Sequence, residues 1–205
     1  VRFRSAPAER VVVPDVLLRT PCVGELHRAR GVHVLARLHP HGTAGLTFDG
    51  KTILSSTEAL TLDAVPGRLG IVGGGYIGLE LGSVWMRLGS QVTVIEMLPE
   101  IAPAMDGQVR RRLQSLLKKQ GFTFRLGTQV KSAAVTGGKA TVAIESGGTS
   151  ETLEFDKLLV SVGRRPLTQE LNLEAVAVAT DPKTGFIRVD GALRTSAPGI
   201  YAIGD

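Results

Sequence analysis

Six residues constrain this chain more than any others: Gly73-Gly74-Gly75-Tyr76-Ile77-Gly78, a Gly-x-Gly-x-x-Gly segment between an apolar run and an amphipathic stretch. The run before it, Leu69-Gly70-Ile71-Val72, reads as a buried strand that stops at the glycines. After it, Ile77, Leu81, Val84, Trp85 and Leu88 recur at helical spacing, which predicts a helix with those residues inward and Gly89 at its end. Each glycine then has a physical reason. Gly73 permits a tight turn out of the strand, Gly75 lets a pyrophosphate approach the backbone, and Gly78 lets the helix pack closely on the sheet. A helix that starts there presents unpaired N–H groups and a partial positive charge to the phosphates.

The hexad alone would be a weak signal, because glycine clusters are common in turns. Its context makes it specific. Gln91-Val92-Thr93-Val94-Ile95 predicts a second strand, and Glu96 closes it 18 residues after Gly78. A carboxylate at that place accepts hydrogen bonds from the hydroxyls of an adenine ribose. It also repels the extra phosphate of NADP, and Met97-Leu98-Pro99 supplies no Arg to neutralise that phosphate. NAD is therefore the expected dinucleotide. Glu80, two residues beyond Gly78, is either a cofactor contact or a solvated side chain.

The rest of the chain predicts what surrounds this turn. Val109, Leu113, Leu116 and Leu117 share one face of a second helix that Gly121 stops, and Phe122–Leu126 reads as a third strand. Strand, helix, strand, helix, strand is the unit of a doubly wound parallel sheet, so the expected fold class is α/β. Ala140–Ile144 and Thr152–Phe155 flank Gly147-Gly148 and predict an antiparallel hairpin. Leu158–Val162 is a further apolar strand, and Phe186–Val189 and Ile200–Ile203 are expected as the last two. The run Arg110-Arg111-Arg112 reads as a solvated helix face rather than a phosphate site.

Composition narrows the function classes. At 205 residues and 43% hydrophobic the chain can bury a sizeable core. It has no apolar run of about 18 residues, so no transmembrane helix is expected. No signal for secretion is read near the N-terminus, and a chain opening on Val1 rather than Met is expected to be incomplete. The net charge of +5 is unevenly spread: residues 1–48 hold seven Arg and three acids, whereas 49–205 hold 17 basic and 16 acidic residues. The folded-looking part is nearly neutral, so the charge gives no ground for a nucleic-acid or membrane partner. A single cysteine, Cys22, excludes an internal disulfide and a Cys-based zinc site, and makes a reducing, cytoplasmic setting the default. His27, His33, His39 and His41 cluster in the same segment, but their spacing fits no ligand pattern, and no metal is expected.

Residues 49–205 closely resemble the dihydrolipoamide dehydrogenases, which are flavoprotein pyridine nucleotide-disulfide oxidoreductases. The resemblance rests on Asp49-Gly50-Lys51-Thr52-Ile53-Leu54-Ser55-Ser56-Thr57-Glu58-Ala59-Leu60, on Gly73 through Trp85, on Ser161-Val162-Gly163-Arg164-Arg165-Pro166, and on Thr195 through Asp205. It implies a Rossmann-type NAD-binding domain at 67–180 with the hairpin as an insertion. On the same grounds 49–66 is a connector resembling the end of an FAD-binding domain, 181–205 is a truncated return segment of that domain, and 1–48 stands outside the family pattern. The resemblance places Gly73, Gly74, Gly75, Tyr76, Ile77 and Gly78 at the NAD pyrophosphate, with Leu79 following in the cofactor-binding segment. It places Glu80 near the nicotinamide, Glu96 at the adenine ribose, Val130 in the adenine pocket and Gly163 against NAD from a strand end. Tyr76 resembles a residue that can lie over the flavin, and Asp205 would accept hydrogen bonds from FAD.

The implied reaction regenerates lipoamide on a lipoyl domain of a 2-oxo acid dehydrogenase complex, with electrons passing from dihydrolipoamide through a protein disulfide and FAD to NAD. The implied assembly is a homodimer. The chain departs from the family in three respects. It has no second Gly-x-Gly-x-x-Gly segment, no Cys-x-x-x-x-Cys pair, and it ends before the part that would bring the catalytic His and the dimer interface. No catalytic residue is therefore assigned within it. An Arg-, Pro- and His-rich segment without Lys before residue 48 fits a shifted reading frame in GC-rich DNA. Two readings follow: a portion of an NAD-dependent dehydrogenase, or a non-catalytic NAD-binding module or inactive product. An NAD-binding domain without its neighbours is expected to expose apolar surface and to dissolve poorly.

Overall fold

The apolar runs become strands buried on both faces, which is why they are continuous rather than alternating. The computed structural model describes residues 32–40, 45–168 and 171–204. In chain order its strands are β1 (Val32–Pro40), β2 (Ile53–Leu54), β3 (Arg68–Val72), β4 (Gln91–Ile95) and β5 (Thr123–Arg125). These are followed by β6 (Gln129–Thr136), β7 (Lys139–Ser146), β8 (Thr149–Phe155), β9 (Lys157–Val160), β10 (Arg164–Leu167) and β11 (Ile200–Gly204). Two α-helices, α1 (Tyr76–Arg87) and α2 (Gly107–Gln120), connect β3 to β4 and β4 to β5.

The chain divides into two compact units, Pro40–Gly163 and a second one built from the segments on either side of it. In the first unit five strands pair in the order β2-β9-β3-β4-β5, every pair parallel. Successive residues of each strand go to opposite layers. Leu69, Ile71, Val92, Val94 and Leu159 join one buried cluster with Leu79 and Trp85 of α1 and Leu117 of α2. Val72, Ile95, Leu158 and Val160 join a second with Ala140, Val142, Ile144 and Phe155. That second layer is a three-stranded antiparallel sheet, β6-β7-β8. The expected hairpin around Gly147-Gly148 is its β7–β8 pair. The third strand, β6, escaped the sequence because a register shift between Val130 and Ser132 breaks its alternation.

In the second unit β1 lies between β10 and β11 and runs parallel to β11. A small core of Leu173, Val178, Ala197, Ile200 and Ala202 stands on its own. The strand expected at Phe186–Val189 is a single bridge between Thr180 and Ile187. Beside that bridge Asp181 N donates to Phe186 O at 2.7 Å and Arg188 N to Ala179 O at 2.9 Å, and the Asp181 carboxylate fixes the turn between them by accepting from the N–H groups of Lys183 and Thr184, each at 2.9 Å.

The predicted inner face of α1 also needs correction. Gly78, Leu79, Gly82 and Trp85 are buried, whereas Val84 and Leu88 are 51% and 56% exposed and Ile77 and Leu81 are half-buried. A Cβ on Gly82 would stand 2.7 Å from Ile71 Cδ1, and one on Gly78 would stand 2.9 Å from Ile71 Cγ2. Glycine therefore decides the face, because backbone-to-strand contact turns the branched residues aside. The same correction applies to α2, where Leu117 is buried but Val109 and Leu116 are exposed. Near its start Arg110 pairs with Glu100 at 3.1 Å, so one of the three arginines is held by an acid and Arg111 and Arg112 are exposed.

Candidate functional site

The predicted site lies where β3, β4 and β9 end, as ligand sites in open parallel sheets do. Gly73 leaves β3 with φ +102°, a conformation that favours glycine, and its N–H donates to Ile95 O at 2.9 Å. A Cβ there would also lie 2.6 Å from Ser161 O. Gly74 follows, with its N–H donating to Glu96 Oε2 at 2.6 Å and its carbonyl accepting from Ala102 N at 2.8 Å. The turn is thus tied to the strand on each side of β3 and to the loop before α2.

Gly75 is the N-cap of α1, with φ −77° and no side-chain capping bond. The backbone bond from Leu79 N to Gly75 O, at 3.1 Å, opens the helix. A Cβ on Gly75 would meet no atom within 4 Å, so the space above this residue is open. The first turn of α1 contains no acid. An open approach, an uncapped helix start and a carboxylate beside it together fit a pyrophosphate flanked by a ribose. Gly78 serves the other side: a Cβ there would lie 2.6 Å from both Gly73 O and Ser161 Oγ. Its missing side chain is what lets α1 begin directly against the turn.

Glu96 is half-buried, and both of its carboxylate oxygens are used. Oε2 accepts from Gly74 N, and Oε1 accepts from Leu98 N at 2.8 Å. The residue's own backbone is fixed by Glu96 N to Arg125 O at 2.9 Å and by Thr128 N to Glu96 O at 3.0 Å. These bonds aim the carboxylate before any ligand arrives. Each oxygen retains acceptor capacity for a hydroxyl donor.

The remaining predicted residues scatter around this centre. Tyr76 is 53% exposed, Ile77 is half-buried and Leu79 is buried in the core behind the turn. Glu80 is exposed one turn along α1 and lines a cleft of about 260 Å³ with Ser56, Thr57, Leu60, Ile77 and Leu81. Val130 follows Gln129 at the start of β6 and packs half-buried against the second core cluster. Gly163 follows β9 with φ +135° and open space around its Cα. Asp205 lies outside the described residues, as do Cys22, His27 and His41 and the side chains of His33 and His39. The sequence missed Ser161 and Ala102. Nothing in an apolar strand end or in Ile101-Ala102 signals a backbone contact that only the folded turn creates.

Known proteins share this fold. The family model for pyridine nucleotide-disulphide oxidoreductases matches residues 29–205, and so takes in β1 ahead of the composition break. The mitochondrial dihydrolipoyl dehydrogenase of Pisum sativum is 48% identical over 200 residues, 96% of this chain and 40% of that protein. Dihydrolipoyl dehydrogenase 3 of Pseudomonas putida is 44% identical over 180 residues, 87% of this chain and 38% of that protein. The chain thus spans about two-fifths of the length of these relatives. Among solved structures, LpdA from Mycobacterium tuberculosis superposes with a TM-score of 0.77 at 30% identity, covering 87% of this chain and 38% of that one. The HOCl-induced flavoprotein disulfide reductase RclA from Escherichia coli gives 0.72 at 31%, covering 85% and 39%. Among the described residues no helix is long and apolar enough to cross a membrane. The match over 29–205, on a sheet and turn of this geometry, shows that the chain belongs to the pyridine nucleotide-disulphide oxidoreductase family.

Proposed function

We propose that this chain is the NAD-binding portion of an NAD-dependent dihydrolipoyl dehydrogenase, which oxidises dihydrolipoamide through a redox disulfide and FAD and reduces NAD. One observation carries the reading: the Glu96 carboxylate is bonded to Gly74 N at 2.6 Å beside a helix start that has no side-chain cap. In this reading Glu96 accepts from the adenine ribose hydroxyls, and the turn from Gly73 to Gly78 receives the pyrophosphate over Gly75. Val130 lines the adenine end, while Glu80, Tyr76 and Gly163 stand toward the nicotinamide. NAD, when bound, supplies the ring that accepts a hydride. The residues of this chain bind and orient it, and the Glu96 carboxylate disfavours a second phosphate on the ribose.

Dithiol chemistry needs a second thiol, because Cys22 is the only cysteine of this chain. The redox disulfide, the catalytic His and the FAD pyrophosphate site are accordingly assigned to residues outside it. The lipoyl domain of a 2-oxo acid dehydrogenase complex and a homodimeric partner belong to the same proposal, and so does an NAD domain at 67–180. The single cysteine also favours a second reading for the chain by itself, a non-catalytic NAD-binding module. Titration with NADH, flavin absorbance and dihydrolipoamide-dependent reduction of NAD separate the two. Flavin retention with turnover supports a self-sufficient dehydrogenase portion. NADH binding without flavin or turnover supports the module, and failure to bind NADH contradicts both.

A further inference from the structure

The glycine turn contains one peptide unit that is held at both ends by side chains from different strands. The N–H of Gly74 donates to Glu96 Oε2 at 2.6 Å, just beyond β4. The carbonyl of the same unit, Gly73 O, lies 3.4 Å from Ser161 Oγ, just beyond β9. The Ser161 hydroxyl also lies 3.2 Å from Val72 O, so its single hydrogen is shared between two successive carbonyls in a three-centre bond. Among the described residues no other donor to Gly73 O is recorded. Ser161 is anchored in turn, its N–H donating to Val72 O at 2.8 Å.

Sterics point the same way. Ser161 O would lie 2.6 Å from a Cβ on Gly73, and Ser161 Oγ would lie 2.6 Å from a Cβ on Gly78. One residue thus touches the first and third glycines of the motif from the side opposite Glu96. The Gly73–Gly74 peptide cannot rotate without losing a bond at one end or meeting Ser161 at the other. Its orientation determines where the chain leaves toward Gly75 and the start of α1, which is where a pyrophosphate would sit.

We propose that Ser161 is a positioning residue of the dinucleotide site, coupled to Glu96 through the Gly73–Gly74 peptide. The inference rests on the NAD-binding reading. It assigns Ser161 no contact with the dinucleotide. Loss of the hydroxyl leaves Gly73 O without its side-chain donor and lets the peptide tilt, so the Gly74 N–H no longer meets Glu96 at the same angle. A weak, shared hydrogen bond of this kind predicts a loss of about two- to fivefold in affinity.

The test is a double-mutant cycle on the 205-residue chain. NADH affinity is measured for the parent, Ser161→Ala, Glu96→Gln and the double variant, and the Gly74 amide proton is followed by NMR without ligand. The expected result is about two- to fivefold weaker binding for Ser161→Ala, a displaced Gly74 amide resonance, and a double-variant loss smaller than the product of the single losses. If Ser161→Ala does not fold, Ser161→Cys retains a weaker donor and should show an intermediate loss. A parent that binds NADH while the serine variant binds equally well, or while the two losses simply multiply, overturns the positioning role and leaves the NAD reading standing. A parent that does not bind NADH overturns that reading and this inference with it.

Discussion

Both helices of the parallel sheet follow a strand, yet their first turns are finished differently. α2 is capped by its own chain: the Asp106 carboxylate accepts from Gln108 N at 2.8 Å and Val109 N at 3.3 Å. α1 starts at Gly75 without any side-chain cap, under open space. A capping Asp stabilises a helix by about 1 kcal/mol, and α1 forgoes that gain. The Glu96 carboxylate bonds instead to Gly74, ahead of the helix. The contrast teaches where to look for a ligand: two helix starts share the same polarity, but only the one left open beside a positioned acceptor has room for a phosphate.

The comparison breaks most severely at Gly78. In Gly78→Val the new side chain begins 2.6 Å from Gly73 O, which is backbone and cannot swing aside. The expected cost is about 3 kcal/mol or more, read as a lowered denaturation midpoint, with NADH binding lost as well. An unchanged midpoint would mean that α1 does not sit against the turn.

Gly75→Ala should behave in the opposite sense. A Cβ there meets nothing within 4 Å and φ is −77°, so stability should change by less than about 1 kcal/mol. NADH affinity should nevertheless fall about tenfold or more, because the methyl group stands where the phosphates approach. Equal loss of both would show that the open space is not the binding space.

Asp106→Ala sharpens the other half. It should lower stability by about 1 kcal/mol in denaturant melts and leave NADH affinity unchanged. A change in affinity would mean that the start of α2 takes part in the site.

The smallest effect is a pH response at a third carboxylate of this kind. Burial raises the pKa of Asp49, but the N–H groups of Lys51, Thr52 and Ile53 outweigh it and hold the carboxyl below its ordinary value. A lowered folded-state value gives stability that is fully present above the unfolded pKa and is lost as pH falls through the folded one. Protection of the Thr52 and Ile53 amides, taken as exchange relative to an unstructured chain at the same pH, should therefore fall only in acid, below the ordinary carboxylate range. Loss of that protection already near neutrality would contradict the assignment.

Much of this was legible in the sequence where one residue type has one use. The glycine motif, Glu96, the apolar strands and the stop at Gly121, with φ +111°, all follow from local chemistry. The inner face of α1 did not, because counting apolar residues favours Val84 and Leu88, whereas contact distance favours Gly78 and Gly82. β6 was hidden by its register shift, whereas the strand expected at Phe186–Val189 is present only as the single bridge at Ile187. Ser161 was hidden for a different reason: its hydroxyl matters only once β9 lies beside β3, a pairing between residues 88 and 89 positions apart. Non-local backbone contacts leave no local signature.

The most direct test is calorimetric titration of the parent chain and Glu96→Arg with NADH and with NADPH. The account predicts that the parent binds NADH more tightly than NADPH, and that the substitution weakens NADH while shifting the preference toward NADPH. A parent that binds neither, or a preference that Glu96→Arg leaves unchanged, would contradict it.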